Sequence, residues 1–331
     1  MRDNGLFRAD EGEADTTMSA KIIEGVALSQ NIRQEVAATV QALKDHGRAV
    51  RLACIVVGET PQAVMYAKSQ KKVCASVGID FQIVQLPDSI SQVALLHQIQ
   101  ELNHAPDVTG IILELPLPSR INTFVCQRAI EPQKDAEGVH PINLGLLVYG
   151  IAHHAPCTAM AAYQLIKSTG VDLRGKECTV VGHSQIVGKP ISLMLLHDFC
   201  TVTTCHIATR DLSEHTRRAD VIVVAVGKPG LIRAEMIKPG AMIVDVGENR
   251  LPILDASGAP VLNEKGKPAH RTVGDVDFEP VKEKAGWITP VPGGVGPVTV
   301  TMLLRNVAEA ARRNAEAAGL KIKSEGQAGD A

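Results

Sequence analysis

A chain of 331 residues, 45% hydrophobic and 21% charged with a formal net charge of -2, is long enough for two domains and offers neither a basic field for nucleic acid nor an acidic field for cationic partners. No window reaches the ~18 apolar residues that span a bilayer, and the polar start MRDNGLFRADEGEADTT lacks a signal-peptide core, so a cytoplasmic protein without membrane contact is expected. The seven cysteines form no CxxC pair and no ligand-like spacing with histidine, so they are read as reduced and mostly buried, with no metal site.

Residues 1–17 read as a disordered extension, with Met1 and Met18 both open as the start. Helical periodicity over Ile32 to Leu43 leads into the strand LACIVVG, and the order repeats: a helix around Tyr66 to Val77, the strand FQIVQL, the helix SQVALLHQIQELN and the strand TGIILELPLP. After PINLGLL come a helix near Ala161 to Ser168, the strand ECTVVG, a helix from Val187 to His197, and the strands TVTTCH, DVIVVAVG and AMIVDVG. PVPGGVGPVTV opens a last helix running to about Ala318, followed by a flexible tail over 319–331. Strands alternating with helices at this spacing imply an α/β fold of two domains, with mostly parallel sheets and a cleft between them as the default site.

TVVGHSQIVGKP, Thr179 to Pro190, reads as a strand that turns through Gly182 and enters a helix near Gly188. Such a turn offers unpaired helix N–H groups to a pyrophosphate, but Ser184 and Val187 occupy the second and third positions of GxGxxG, so a well-packed βα turn without ligand stays open. A ribose-reading acid is expected ~20 residues on, at the end of the next strand. There the chain reads CHIATRD, and its first acid is Asp211; His183 and Arg210 either meet a 2′-phosphate or are solvated. TPVPGGVGPVTV allows close backbone approach to a ligand or serves as a domain-crossing linker.

TPVPGGVGP, VVGxSxIVGKP, LPLP at 115–118, AVGKPGLI at 225–232 and GDVDF at 274–278 together make the chain resemble the bifunctional methylenetetrahydrofolate dehydrogenase/methenyltetrahydrofolate cyclohydrolase family over about residues 18–315. The resemblance implies an N-terminal α/β folate-binding domain (18–140 plus 298–318, the C-terminal helix returning to it) and a Rossmann-like domain (141–297) binding NADP or NAD. It also implies a tetrahydrofolate derivative as substrate and a homodimer. Hydride transfer to nicotinamide would give a cationic methenyl compound, which water would open. The family's site tyrosine is matched by Tyr66, but its lysine position holds Gln70, its glutamine position Glu114 and its aspartate position Glu137. A serine three residues before the tyrosine is Ala63. On the cofactor side, Gly182, Ser184 and Gly188 match, whereas His183 replaces an arginine or small residue, Ile207 a serine, and Glu248 the isoleucine of DVGIN. CTPxG reads CTAMA, with Ala159 and Ala161 in place of proline and glycine. Pro292, Gly293 and Gly294 are expected at the substrate.

Gln70 has no ionisable proton and cannot be a general base or acid. Lys71 is turned ~100° further round the helix and Lys68 roughly 160° away, so neither takes its place. The family trio is neutral, whereas Gln70, Glu114 and Glu137 sum to -2 when both acids ionise; two nearby carboxylates can instead share a proton, raising one pKa. Three readings follow: a dehydrogenase with weakened cyclohydrolase activity, a diverged enzyme using methylenetetrahydrofolate as a one-carbon donor without redox, and a catalytically silent binder of folate or a partner protein.

Overall fold

A computed structural model describes residues 19–58, 61–151, 154–255, 257–263 and 266–322, the side chains of 61–68 excepted. The expected extension over 1–17 and most of the expected tail lie outside the described residues. Leu320 and Ile322, however, pack on the core, so the first residues of that tail are anchored by their apolar side chains rather than solvated.

In chain order the elements are β1 (Lys21–Ile22), α1 (Gly25–Asp45), β2 (Arg51–Val57), α2 (Pro61–Ser76), β3 (Asp80–Leu86), α3 (Gln92–His104), β4 (Gly110–Leu113), α4 (Thr123–Ala129), α5 (Pro141–Val148) and α6 (Cys157–Ser168). There follow β5 (Glu177–Val181), α7 (Gly188–His197), β6 (Thr201–Cys205), α8 (Leu212–Arg218), β7 (Val221–Val224), a 3₁₀ turn at Ala234–Met236, and β8 (Met242–Asp245). The chain closes with β9 (Asn249–Pro252), β10 (His270–Val273), α9 (Phe278–Lys282), β11 (Trp287–Ile288) and α10 (Val295–Ala317).

The strands form a three-stranded sheet, β3-β2-β4, and a six-stranded sheet, β1-β11-β8-β7-β5-β6, parallel throughout, with β9-β10 a separate antiparallel ribbon. β2 is buried without a break from Leu52 to Val57, as a central strand covered on both faces must be, whereas β3 at the edge is exposed at every second residue or more. Ile32, Val36, Val40 and Leu43 supply the buried stripe of α1.

Each sheet has a cluster of its own, around Ile55 and Leu95 in the smaller and Ile222 and Ile243 in the larger, and the two share a third. One buried cluster runs from Leu52 and Val56 on β2 through α1, α6 and α10 to Val180 and Val223 in the larger sheet. Lys21 and Ile22, within the span expected for the first domain, pair with Trp287 and Ile288 and extend the six-stranded sheet. A two-residue strand is too short to show periodicity. The expected strand over Thr109 to Pro118 ends at Leu113, where Pro116 and Pro118 have no N–H to continue a ladder. No described helix is long and apolar enough to cross a membrane. All seven cysteines are unpaired, and six are buried.

Candidate active site

The second half of α2, the end of β4 and the loop before α5 bring Gln70, Glu114 and Glu137 to one cavity of about 200 Å³, also lined by Thr158 of α6 and Thr299 and Val300 of α10. Of the four expected catalytic residues these three converge; the Tyr66 side chain, like that of Ala63, lies outside the described residues. Gln70 is 4% exposed, and its Oε1 is buried without a hydrogen-bond partner. Burial raises the Glu114 carboxyl to about 7. Burial, then the charges of Asp135 and Glu114, raise Glu137 to about 8. Burial alone shifts Glu114, and the Glu114 charge adds the smallest of the three contributions that shift Glu137.

Asp135, buried beside Glu137, is a residue that sequence reasoning missed. Its carboxylate accepts from the amides of Gly138 at 3.1 Å and His140 at 2.8 Å and from Asn143 Nδ2 at 2.8 Å, which fixes the loop carrying Glu137. Asn306 of α10 was missed as well. Its Nδ2 donates to the carbonyls of Ala136 at 2.9 Å and Ala155 at 3.2 Å, joining the chain on both sides of the cavity. Only an acid two residues from Glu137 in KDAEG signalled the first; nothing in the sequence signalled the second.

A second cavity of about 600 Å³ shares Thr158, Thr299 and Val300 with the first and is lined by Asp245, Glu248 and the turn from Pro292 to Gly296. The turn sits against the start of α1: Gly25 N–H donates to the Gly293 carbonyl at 3.0 Å, and a side chain at Gly25 would strike the Gly294 carbonyl. Pro292, Gly293 and Gly294 thus line this second cavity, beside Glu248, rather than the first. Asp245 accepts from the amides of Gly247, Asp275 and Val276 at 2.9–3.0 Å, and Asp275 from those of Val226 and Gly227 and from Asn249 Nδ2 at 2.8–2.9 Å. Burial lifts Asp245 to about 6 despite those amides. DVGEN and GDVDF therefore brace the two loops against each other.

The described residues lining the two cavities include Glu114, Glu137, Asp245 and Glu248 and no lysine or arginine. The site is an acidic cleft.

The glycine loop lies at the carboxyl end of β5, where the sheet order passes to β6 on one side and β7 on the other, the switch point at which open α/β sheets take ligands. A side chain at Gly182, at φ +121°, would run into the Ala225 carbonyl, and one at Gly188 into the Gly182 carbonyl, so both positions require glycine. Ser184 Oγ accepts from the Val187 amide at 3.1 Å and the Gly188 amide at 3.4 Å, holding the turn from within. The His183 and His206 rings lie 5.2 Å apart. The Ala208 amide donates to His206 Nδ1 at 3.2 Å. Ile207 is fully exposed, and Asp211 caps α8 by accepting from the Glu214 amide, so it is not a ribose reader. None of Gly182, His183, Ser184, Gly188 or Ile207 lines the two cavities; Ile186 of the same loop reaches the smaller one.

A parallel sheet with a glycine turn at its switch point, opening beside a polar cleft, defines a dinucleotide-binding α/β protein. Residues 23–137 match the tetrahydrofolate dehydrogenase/cyclohydrolase catalytic domain, and residues 156–315 match the NAD(P)-binding domain of the same name. The chain therefore belongs to the tetrahydrofolate dehydrogenase/cyclohydrolase family. It is 46% identical over 296 residues to the bifunctional protein FolD of Geobacillus thermodenitrificans, covering 89% of this chain and 99% of that protein. Among solved structures, the bifunctional FolD of Campylobacter jejuni is 42% identical with a TM-score of 0.82, over 89% of this chain and 100% of that one. The Trypanosoma brucei FolD, complexed with NADP cofactor and inhibitor, is 36% identical with a TM-score of 0.80, over 90% and 99%.

Proposed function

We propose that this chain is an NAD(P)-dependent 5,10-methylenetetrahydrofolate dehydrogenase whose cyclohydrolase activity is strongly reduced. The observation that carries the second half is the acidic cavity of Gln70, Glu114 and Glu137, with no lysine or arginine among its described lining residues. Gly182 and Gly188, where any side chain would strike a neighbouring carbonyl, keep the turn after β5 tight at the sheet's switch point and fit the cofactor that the family match implies. NAD(P), when bound, would supply the hydride acceptor, with the Gly182–Gly188 turn as the place to hold its phosphates.

The chain's residues decide what becomes of the oxidised carbon. Loss of hydride turns a neutral methylene group into a methenyl cation, and Glu114 and Glu137 stabilise that charge. Hydrolysis discharges the same cation, so carboxylates beside it stabilise the ground state of that step more than its transition state. Gln70 offers no base to the attacking water, a contribution worth ~10²–10⁴-fold where a base is present. Side-by-side assays of the purified chain are expected to show ordinary methenyl formation with NAD or NADP and methenyl hydrolysis lower by about 100-fold or more than in a family member carrying the lysine. Ordinary hydrolysis would overturn the reading.

Glu248 in the larger cavity and the exposed Ile207 favour a second reading, a one-carbon donor enzyme without redox. Separate titrations with NAD, NADP and methylenetetrahydrofolate decide: folate binding with no nicotinamide binding selects it. A cytoplasmic homodimer is part of the first reading through family likeness, and sedimentation of the purified chain tests the dimer.

A further inference from the structure

We infer that Glu114 and Glu137 form a proton-exchanging counter-ion, which keeps a proton while the cavity is empty or holds a neutral folate and expels it to solvent when a cationic folate binds or forms. The inference rests on the reading that this cavity takes the one-carbon end of a folate.

Three features of the cavity point to it. Neither carboxyl has a hydrogen bond or ion pair among the described residues, although both are half-buried at one small cavity. Among the described residues, the groups facing them bring no positive charge: Asp135 is occupied by three donors, the Cys54 and Cys157 thiols are pushed up chiefly by burial, and the adjoining cavity adds Asp245 and Glu248. Gln70 Oε1, 96% withdrawn from solvent and unpartnered, is one more acceptor at the same wall. Such a set is satisfied by a ligand that brings positive charge.

The exchange balances. The methylene C–H bond breaks with both electrons, the hydride joins the nicotinamide ring, and the folate gains one positive charge. If the pair then gives one proton to water, the cavity keeps the same net charge before and after oxidation. Burial holds the two acids at about 7 and about 8, so the empty pair is protonated near pH 6. A cation favours the ionised pair. A cation that expels one of the two protons should therefore have a dissociation constant that falls about tenfold per pH unit below about pH 7 and levels off above it.

The test is stopped-flow binding of 5,10-methenyltetrahydrofolate to the full chain in weak buffer with a pH indicator, read before spontaneous hydrolysis, with tetrahydrofolate, which has the same glutamate tail and no methenyl cation, as the control. The expected result is a burst of about one proton per site with the methenyl cation and none with tetrahydrofolate. Glu114→Gln with Glu137→Gln should abolish both the burst and the pH slope. Binding of both folates with equal or no proton release, or a burst that survives in the double variant, overturns the counter-ion and leaves the dehydrogenase reading standing. Failure of both folates to bind overturns the folate reading and the inference with it.

Discussion

Gln70 is almost wholly buried with an unpartnered oxygen, which costs about 1–3 kcal/mol unless a ligand meets it. Replacing it by lysine would not recreate a base. An ammonium near Glu114 and Glu137 feels ~4 kcal/mol from each carboxylate at ~4 Å and an effective dielectric near 20, which holds it protonated. Gln70→Lys alone is therefore expected to raise methenyl hydrolysis less than about tenfold, with larger recovery only when Glu114→Gln and Glu137→Asp accompany it. Full recovery from the single change would show an isolated lesion. These three residues were legible in the sequence because each sits at a fixed offset inside a motif, YxxxQ, ELPLP and KDAEG. Asp135 and Asn306 were not: their roles are hydrogen bonds to loops that only the folded chain brings within reach.

The elements that sequence periodicity found are long or continuously buried, such as α1, α10, β2 and β7. α4, α5 and α8 escaped because seven or eight residues give barely two turns in which to show a stripe. Their caps were readable in principle: Asn122, His140 and Asp211 each accept from an amide of the first turn. The glycine loop was placed correctly at the junction of β5 and α7, but the need for Gly188 comes from the Gly182 carbonyl facing it. Gly145, inside α5 with open space at its Cβ, is the contrast. Gly188→Ala is expected to cost ~1–3 kcal/mol and at least tenfold in dinucleotide affinity. Gly145→Ala should stabilise by ~0.5–1 kcal/mol and leave affinity unchanged, since it only removes backbone freedom from the unfolded chain. Chemical denaturation and cofactor titration of both variants check the pair; equal effects would remove the close approach as the reason for Gly188.

Across the whole molecule, α10 ties the smaller sheet to the larger. It leaves the Pro292–Gly296 turn in the cleft, presents Thr299 and Val300 to both cavities, and then packs against α1 and α6. Val298, Met302, Leu303, Leu304 and Val307 are buried along it, and those side chains alone are worth ~8–15 kcal/mol by apolar burial. That equals the net stability of a typical domain, 5–15 kcal/mol, so neither sheet is expected to survive without the helix they share. The single tryptophan, Trp287, reports the six-stranded sheet, while far-ultraviolet circular dichroism reports all helices together. Urea unfolding followed by the two signals should therefore give one coincident transition despite two sheets and two family-matched domains. A tryptophan transition clearly earlier or later than the helical one would show the larger sheet folding alone, and with it a cleft able to open by parting of the halves rather than by movement of its loops.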